Sequence, residues 1–215
     1  MIRAELPLAR VSPFRPYWWA LIRAEMYTDR GLLAMANFDP RTICNLILDE
    51  AERAARPVTN LALQKLLYFV HGLHLVETKD PLVTGFFEAW QYGPVHPIAY
   101  HAFKEAGGTS IQFRASIEDP FTRTSLPLPE CKDDEVRSRV SRIAAFYGAM
   151  TPGRLVEVSH AKNAPWRYIV DKARAETILG LRIPNDVILS RFKYHKVSIG
   201  SEPRHGEPSE ECPFE

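Results

Sequence analysis

A long helical pattern in the first half of the chain constrains the fold most. After Thr59, a residue type that caps helix N-termini, apolar residues recur at helical spacing: Leu63, Leu66, Leu67, Val70 and Leu73. The pattern extends over roughly 19 residues, or about 28 Å at 1.5 Å per residue. A helix of this length with a continuous apolar face is predicted to be the central element of a helical domain.

Capping residues and first-turn prolines predict further helices on both sides of the central one. Asp39 with Pro40 starts a helix that ends before Pro57, and Asp133 precedes another apolar repeat at helical spacing. Three later starts are marked by Thr151-Pro152, Pro165-Trp166 and Pro184-Asn185.

Aromatic residues and turn residues indicate a small amount of β structure. The segment from Phe86 to Trp90 has the composition of a short strand, and Gly93-Pro94 then forces a turn. Another short strand is predicted between residues 111 and 118. The fold class is therefore mainly α: a compact helical domain with a small β element near residues 85–91 and 111–118.

The ends of the chain differ from this domain. Residues 1–34 contain three prolines and scattered arginines without a helical period. Two interpretations stay open. The segment is an upstream translation that precedes a natural start at Met35, or it is a genuine extension with an aromatic anchor. Residues 35–197 form the predicted domain. Residues 198–215 are polar and rich in glutamate, which predicts a disordered tail.

Composition restricts the possible classes of protein. The chain has 215 residues, 46% of them apolar, which is sufficient for one sizeable core. Lys and Arg number 27 against 26 Asp and Glu, so no overall charge favours nucleic acid or an anionic membrane. No segment approaches the length of apolar sequence that a membrane helix needs. Three widely spaced cysteines argue against a disulfide framework and favour a reducing, cytoplasmic location.

Residue patterns typical of enzymes are weak. His71 and His74 lie three apart on the central helix, and His96 and His101 follow, but without a His-Glu-x-x-His sequence they are explained as amphipathic helix positions. Cys44, Cys131 and Cys212 have no nucleophile signature. We therefore predict no catalytic residue, no metal site and no cofactor.

Nucleic-acid binding is the alternative that the sequence leaves open. Lys132, Arg137, Arg139 and Arg142 form a basic segment, but acidic residues at 133–135 are interspersed with them. A solvated face of mixed charge is the simpler interpretation, and a DNA-binding autorepressor is the alternative function.

Three sequence blocks carry the strongest functional signal. The first block contains Gln64, Lys65, Leu66, Leu67, Tyr68 and Phe69. The second contains Glu88, Ala89, Trp90, Gln91, Tyr92, Gly93, Pro94 and Val95. The third runs from Val158 through Ser159, His160 and Pro165 to Trp166. In this order and spacing, the blocks resemble the signature of the Panacea domain, the SocA-like antitoxin family often labelled phage-associated protein.

The resemblance covers about residues 39–195 and implies a function. A member of this family binds and neutralises a toxin protein encoded nearby, and a SocA-type member also delivers that toxin to the ClpXP protease. The chain departs mildly from the family's usual Leu-Thr-His in the third block, where Val158-Ser159 precedes His160. A hydroxyl residue still precedes the histidine.

Physical reasoning assigns roles to the block residues. Leu66, Leu67 and Phe69 are predicted to lie in the core, with Gln64 and Lys65 on the surface of the same helix. The turn formed by Trp90, Tyr92, Gly93, Pro94 and Val95 is either a packed corner, which we favour, or an exposed aromatic platform for a partner.

His160 and Trp166 also allow two interpretations. His160 fixes the loop before Trp166 through a hydrogen bond from its side chain to the backbone, or it serves a functional site. The structural role is the one we predict.

Overall fold

The computed structural model describes residues 37–119, 121–176 and 181–195. The predicted N-terminal extension (1–34) and disordered tail (198–215) lie outside these ranges. Among the helices in the described ranges, none combines the length and apolar character needed to cross a membrane.

Helices make up most of the described chain. Their bounds are α1 Pro40–Arg53, α2 Asn60–Thr78, α3 Pro97–Phe103, α4 Asp134–Phe146, α5 Pro152–Ser159, α6 Pro165–Glu176 and α7 Asn185–Arg191. Short 3-10 helices follow three of them, at Lys104–Ala106, Tyr147–Ala149 and Phe192–Tyr194. The prediction of a mainly α fold is confirmed.

The predicted caps explain where the helices begin. The Asp39 carboxylate accepts a hydrogen bond from the backbone N–H of Arg41 at 2.8 Å, and Pro40 occupies the first turn. The Asp133 carboxylate accepts from the N–H groups of Glu135 and Val136. Thr59 and Thr151 likewise cap α2 and α5 with their side chains.

Within the described ranges, five short strands form two small sheets. Strands β1 (Phe87–Trp90), β2 (Gly93–Val95) and β5 (Arg182–Ile183) form an antiparallel sheet in the order β2-β1-β5. Strands β3 (Ser116–Glu118) and β4 (Ser125–Pro127) form a separate antiparallel hairpin. Both predicted β regions are confirmed, whereas β5 was not foreseen.

Helix α2 lies at the centre of the core. It packs against α1, α4, α5, α7 and β2, so its buried residues include positions on every side of the helix. Leu66, Leu67 and Phe69 lie in the hydrophobic core as predicted. The placement of Gln64 and Lys65 on the surface was wrong, because β2 and the segment after it cover that side of the helix and bury both side chains.

Candidate functional site

The three sequence blocks meet around the buried side chain of Lys65. This lysine is fully inaccessible to solvent, and its Nζ donates a hydrogen bond to the carbonyl oxygen of Pro94 at 3.1 Å. Ser159, from the third block, is also fully buried. We call Lys65, Gly93, Pro94, Ser159, His160 and Trp166 the motif cluster.

Gly93 permits the close approach of the three blocks. Its φ of +100° lies in the region that favours glycine. A Cβ at this position would lie 2.5 Å from Ser159 Oγ and 2.9 Å from Lys65 Cε. The absence of a side chain at Gly93 therefore lets strand β2 pack directly on α2 and on the end of α5.

Burial controls the charge of Lys65. Removal from solvent disfavours the ammonium form and lowers the pKa of Lys65 to about 7. Burial, together with the smaller effect of the charges of Lys65 and Arg167, lowers the pKa of His160 to about 3. His160 is therefore neutral near pH 7, whereas Lys65 changes between its charged and neutral forms near this pH. Because Lys65 is enclosed, the described structure offers no route for a substrate to reach its amino group.

An aromatic stack fixes the third block. The imidazole of His160 lies parallel to the indole of Trp166, with ring centroids 3.6 Å apart and an interplanar angle of 13°. The indole Nε1 of Trp166 donates to the backbone carbonyl of Trp90 at 2.8 Å. Trp166 therefore joins the start of α6 to the end of β1, and the stack orients His160 beside Lys65.

A second series of hydrogen bonds between polar groups lies on the same side of α2. The Gln64 side chain donates to Asn60 Oδ1 at 3.1 Å and accepts from the backbone N–H of His96, also at 3.1 Å. His96 Nε2 lies 2.9 Å from the carbonyl oxygen of Thr84, to which it donates. These bonds satisfy a buried amide and position the segment that leads from β2 into α3.

His195 completes a further buried network that sequence reasoning missed. Its Nδ1 lies 3.0 Å from the carbonyl of Val158, and its Nε2 lies 3.0 Å from the hydroxyl of Tyr68. Because a carbonyl only accepts, Nδ1 carries the proton, and Tyr68 donates to Nε2 of the neutral ring. Burial lowers the pKa of His195 to about 4, consistent with this neutral form. The sequence around His195 contains no motif that signals this role.

The turn between β1 and β2 is partly accessible. The prediction of a turn at Gly93-Pro94 was wrong, because the turn is formed by Gln91 and Tyr92, while Gly93 and Pro94 pair with β1 as part of strand β2. Gly93, Pro94 and Val95 are buried, whereas Trp90 and Tyr92 are half-buried and Gln91 is exposed. The Trp90 indole donates to Glu88 Oε2 at 2.6 Å and packs edge-on against Tyr100. Partner binding at this turn stays a prediction, and its accessible part consists of Gln91 and parts of the two aromatic side chains.

His71, Cys44 and Cys131 have buried, structural surroundings, and Cys212 lies outside the described residues. His71 donates to Asn185 Oδ1 at 3.1 Å and lies against the ring of Phe87, while burial lowers its pKa to about 4. Cys44 and Cys131 are buried free thiols, and burial raises the pKa of each. Within the described ranges, no three His, Cys, Asp or Glu side chains are grouped so that they could hold a metal ion.

Acidic neighbours neutralise much of the basic segment on α4. Arg139 forms ion pairs with Glu77 and Glu135, and Arg142 also contacts Glu77, at 2.8 Å. Arg137 donates to the carbonyl of Cys131. These arginines are held by groups within the domain, which weakens the argument for a DNA-binding face.

Comparisons with known proteins identify the family. The model of the family described as Antitoxin SocA-like, Panacea domain matches residues 63–167, a range that encloses the motif cluster. Antitoxin SocA of Caulobacter vibrioides (strain NA1000 / CB15N) is 42% identical over 175 residues, which cover 81% of this chain and 93% of that protein. The chain belongs to the SocA-like antitoxin family. No solved structure matches it.

Proposed function

We propose that this chain is an antitoxin that neutralises a toxin protein encoded nearby by binding it directly in the cytoplasm. The observation that carries the proposal is the 42% identity to a protein named Antitoxin SocA over most of both chains. The buried motif cluster supports a binding protein, because Lys65 and Ser159 are enclosed and hydrogen-bonded within the fold. The proposed mechanism is stoichiometric and includes no covalent step.

We place the toxin contact near the β1–β2 turn. Half-exposed Trp90 and Tyr92 lie at the turn between β1 and β2, and the residues that follow it in β2, Gly93 and Pro94, are fixed by the motif cluster. Aromatic residues on a rigid support are favoured at binding hot spots, because little side-chain entropy is lost on association.

Co-expression with the adjacent open reading frame tests the proposal. The full-length chain should rescue growth from a toxic adjacent product and should co-purify with it. Tyr92→Ala should weaken the complex about tenfold or more, whereas Gln91→Ala in the same turn should not. A toxic adjacent product that is neither bound nor neutralised would contradict the proposal.

Delivery of the toxin to ClpXP is a further step of the same proposal. The family resemblance implies it, and strains with and without the protease distinguish delivery from sequestration. An adaptor rescues growth only when ClpXP is present and shortens the half-life of the toxin. A sequestering antitoxin rescues growth in both strains and leaves the toxin intact.

A further inference from the structure

The hairpin β3–β4 turns its apolar side chains away from the domain. Ile117 on β3 lies directly opposite Leu126 on β4, so the two side chains share one face. They are 37% and 47% exposed, and Phe121 at the tip is 95% exposed. We call Ile117, Phe121 and Leu126 the outer face of the hairpin.

The opposite face of the hairpin is directed toward the domain and is more polar. Ser116, Ser125 and Pro127 belong to this face, and they line a groove of about 530 Å³ beside α1. The hydroxyl of Ser125 donates to Ser116 Oγ at 2.7 Å. Both faces of the hairpin are accessible to solvent, and the face opposite the groove is the one that presents large apolar side chains.

Specific hydrogen bonds hold the hairpin in place. Asn45 on α1 accepts from the backbone N–H of Ala115 at 2.8 Å and donates to its carbonyl at 2.9 Å. At the tip, Asp119 Oδ1 accepts from the backbone N–H groups of Phe121 and Thr122 at 2.8 and 3.0 Å. A partner that binds the outer face would meet a preformed surface and lose little entropy in ordering it.

The size of the outer face indicates what kind of partner covers it. Its three side chains together expose on the order of 300 Å², given that a large aromatic side chain alone buries about 150–250 Å². Two such faces paired symmetrically would bury about 600 Å², half of the roughly 1,200 Å² at the lower end of specific interfaces. The outer face is too small for a homodimer contact of its own and suits one anchor within a larger interface.

We propose that the outer face is a docking surface for the toxin, which receives Phe121 in an apolar pocket. This inference rests on the proposed antitoxin function and adds a contact separate from the β1–β2 turn. The exposed ion pair between Arg123 and Glu118, at 2.9 Å, provides a polar rim near the hairpin tip.

Binding of the purified product of the adjacent open reading frame to the full-length chain tests this docking surface. Phe121→Ala should weaken binding by about tenfold or more and leave the melting temperature unchanged, because a nearly fully exposed side chain contributes little to the fold. The double variant Ile117→Thr, Leu126→Thr places a strand-favouring β-branched residue at both positions and should also weaken binding. Phe146→Ala is the matched control: this residue on α4 is 44% exposed and lies outside the hairpin, so its loss should not change the affinity.

The possible results separate this inference from the proposed function. If the wild-type chain binds the toxin and Phe121→Ala binds equally well, the docking surface is wrong and the antitoxin proposal stands. If the wild-type chain does not bind, both are overturned. Sedimentation of the chain alone adds a third result: a wild-type dimer that Phe121→Ala dissociates would show that a second copy covers the outer face, and would overturn docking by toxin.

Discussion

Lys65 Nζ donates to the carbonyl oxygen of Pro94 at 3.1 Å inside a site from which solvent is excluded. Proline has no backbone N–H, so Pro94 presents only an acceptor at this point of strand β2. The amino group of a lysine on the central helix is therefore bonded to a strand that begins 28 residues later.

The pH dependence of stability above neutral pH should come from Lys65. The pKa of this lysine is about 7 in the folded chain, against an ordinary value of 10.5. Between these values the unfolded chain binds more protons than the folded chain, so the free energy of unfolding rises with pH. The upper limit is about 1.4 kcal/mol per pH unit. Urea unfolding between pH 7 and 8.5 measures this slope.

Lys65→Met provides the control for this slope. Methionine keeps an unbranched side chain of similar length and does not titrate. The unfolding free energy of the variant should therefore change much less between pH 7 and 8.5. An equal slope in both proteins would show that another group is responsible. The buried histidines do not interfere, because their lowered pKa values place their effect below about pH 6.5, where stability should fall as the unfolded chain gains protons.

Gly93→Ala should destabilise the domain strongly. The added Cβ would meet Ser159 Oγ and Lys65 Cε at 2.5 and 2.9 Å, in addition to the strain of a positive φ. A loss of about 2–5 kcal/mol is expected from overpacking and strain together. Gly107→Ala is the matched control, since Gly107 also has a positive φ, +56°, but no atom lies within 4 Å of the added Cβ. Denaturant midpoints that agree for the two variants would refute the steric argument.

His160→Ala should lower the melting temperature. The substitution removes a ring stacked on Trp166 at 3.6 Å, and we expect a loss of about 1–3 kcal/mol from the lost stacking and burial. His160→Phe retains an aromatic ring and should recover most of this loss in thermal unfolding. A His160→Ala protein of unchanged stability that no longer binds toxin would instead assign His160 a direct role in recognition.

Tyr68→Phe should destabilise the domain by about 1–3 kcal/mol, because His195 Nε2 would lose its donor inside the core. Long-range proton–nitrogen spectra of the wild-type chain should show His195 with its proton on Nδ1. A proton on Nε2 would contradict the assignment, since Val158 would then offer a carbonyl to an unprotonated nitrogen.

Local sequence signals predicted the helices well. Asp39, Thr59 and Thr151 cap the helices that they were expected to cap, because capping depends on hydrogen bonds to residues two or three positions away. The strand in β1 was also predictable from its aromatic composition. These features depend on residues that are close in sequence, so local patterns are sufficient to predict them.

Distant contacts could not be predicted in the same way. Gln64 and Lys65 were assigned to the surface because polar residues on a helix usually face solvent, yet their partners His96 and Pro94 come from a later segment. Strand β5 has two residues and pairs with β1 across about ninety positions, a pairing that no local pattern indicates. The three blocks identified the family from the sequence, but only the structure shows that they meet around Lys65.

The bond between Tyr68 and His195 joins residues 127 positions apart. At a synthesis rate of about 5–20 residues per second, the ribosome needs roughly 6–25 s to make the intervening chain. During this interval α2 lacks the contact that His195 provides. Contacts between residues so far apart in sequence also slow folding. The nascent domain is therefore exposed to chaperones and proteases until His195 has left the ribosome and can bond to Tyr68 and Val158.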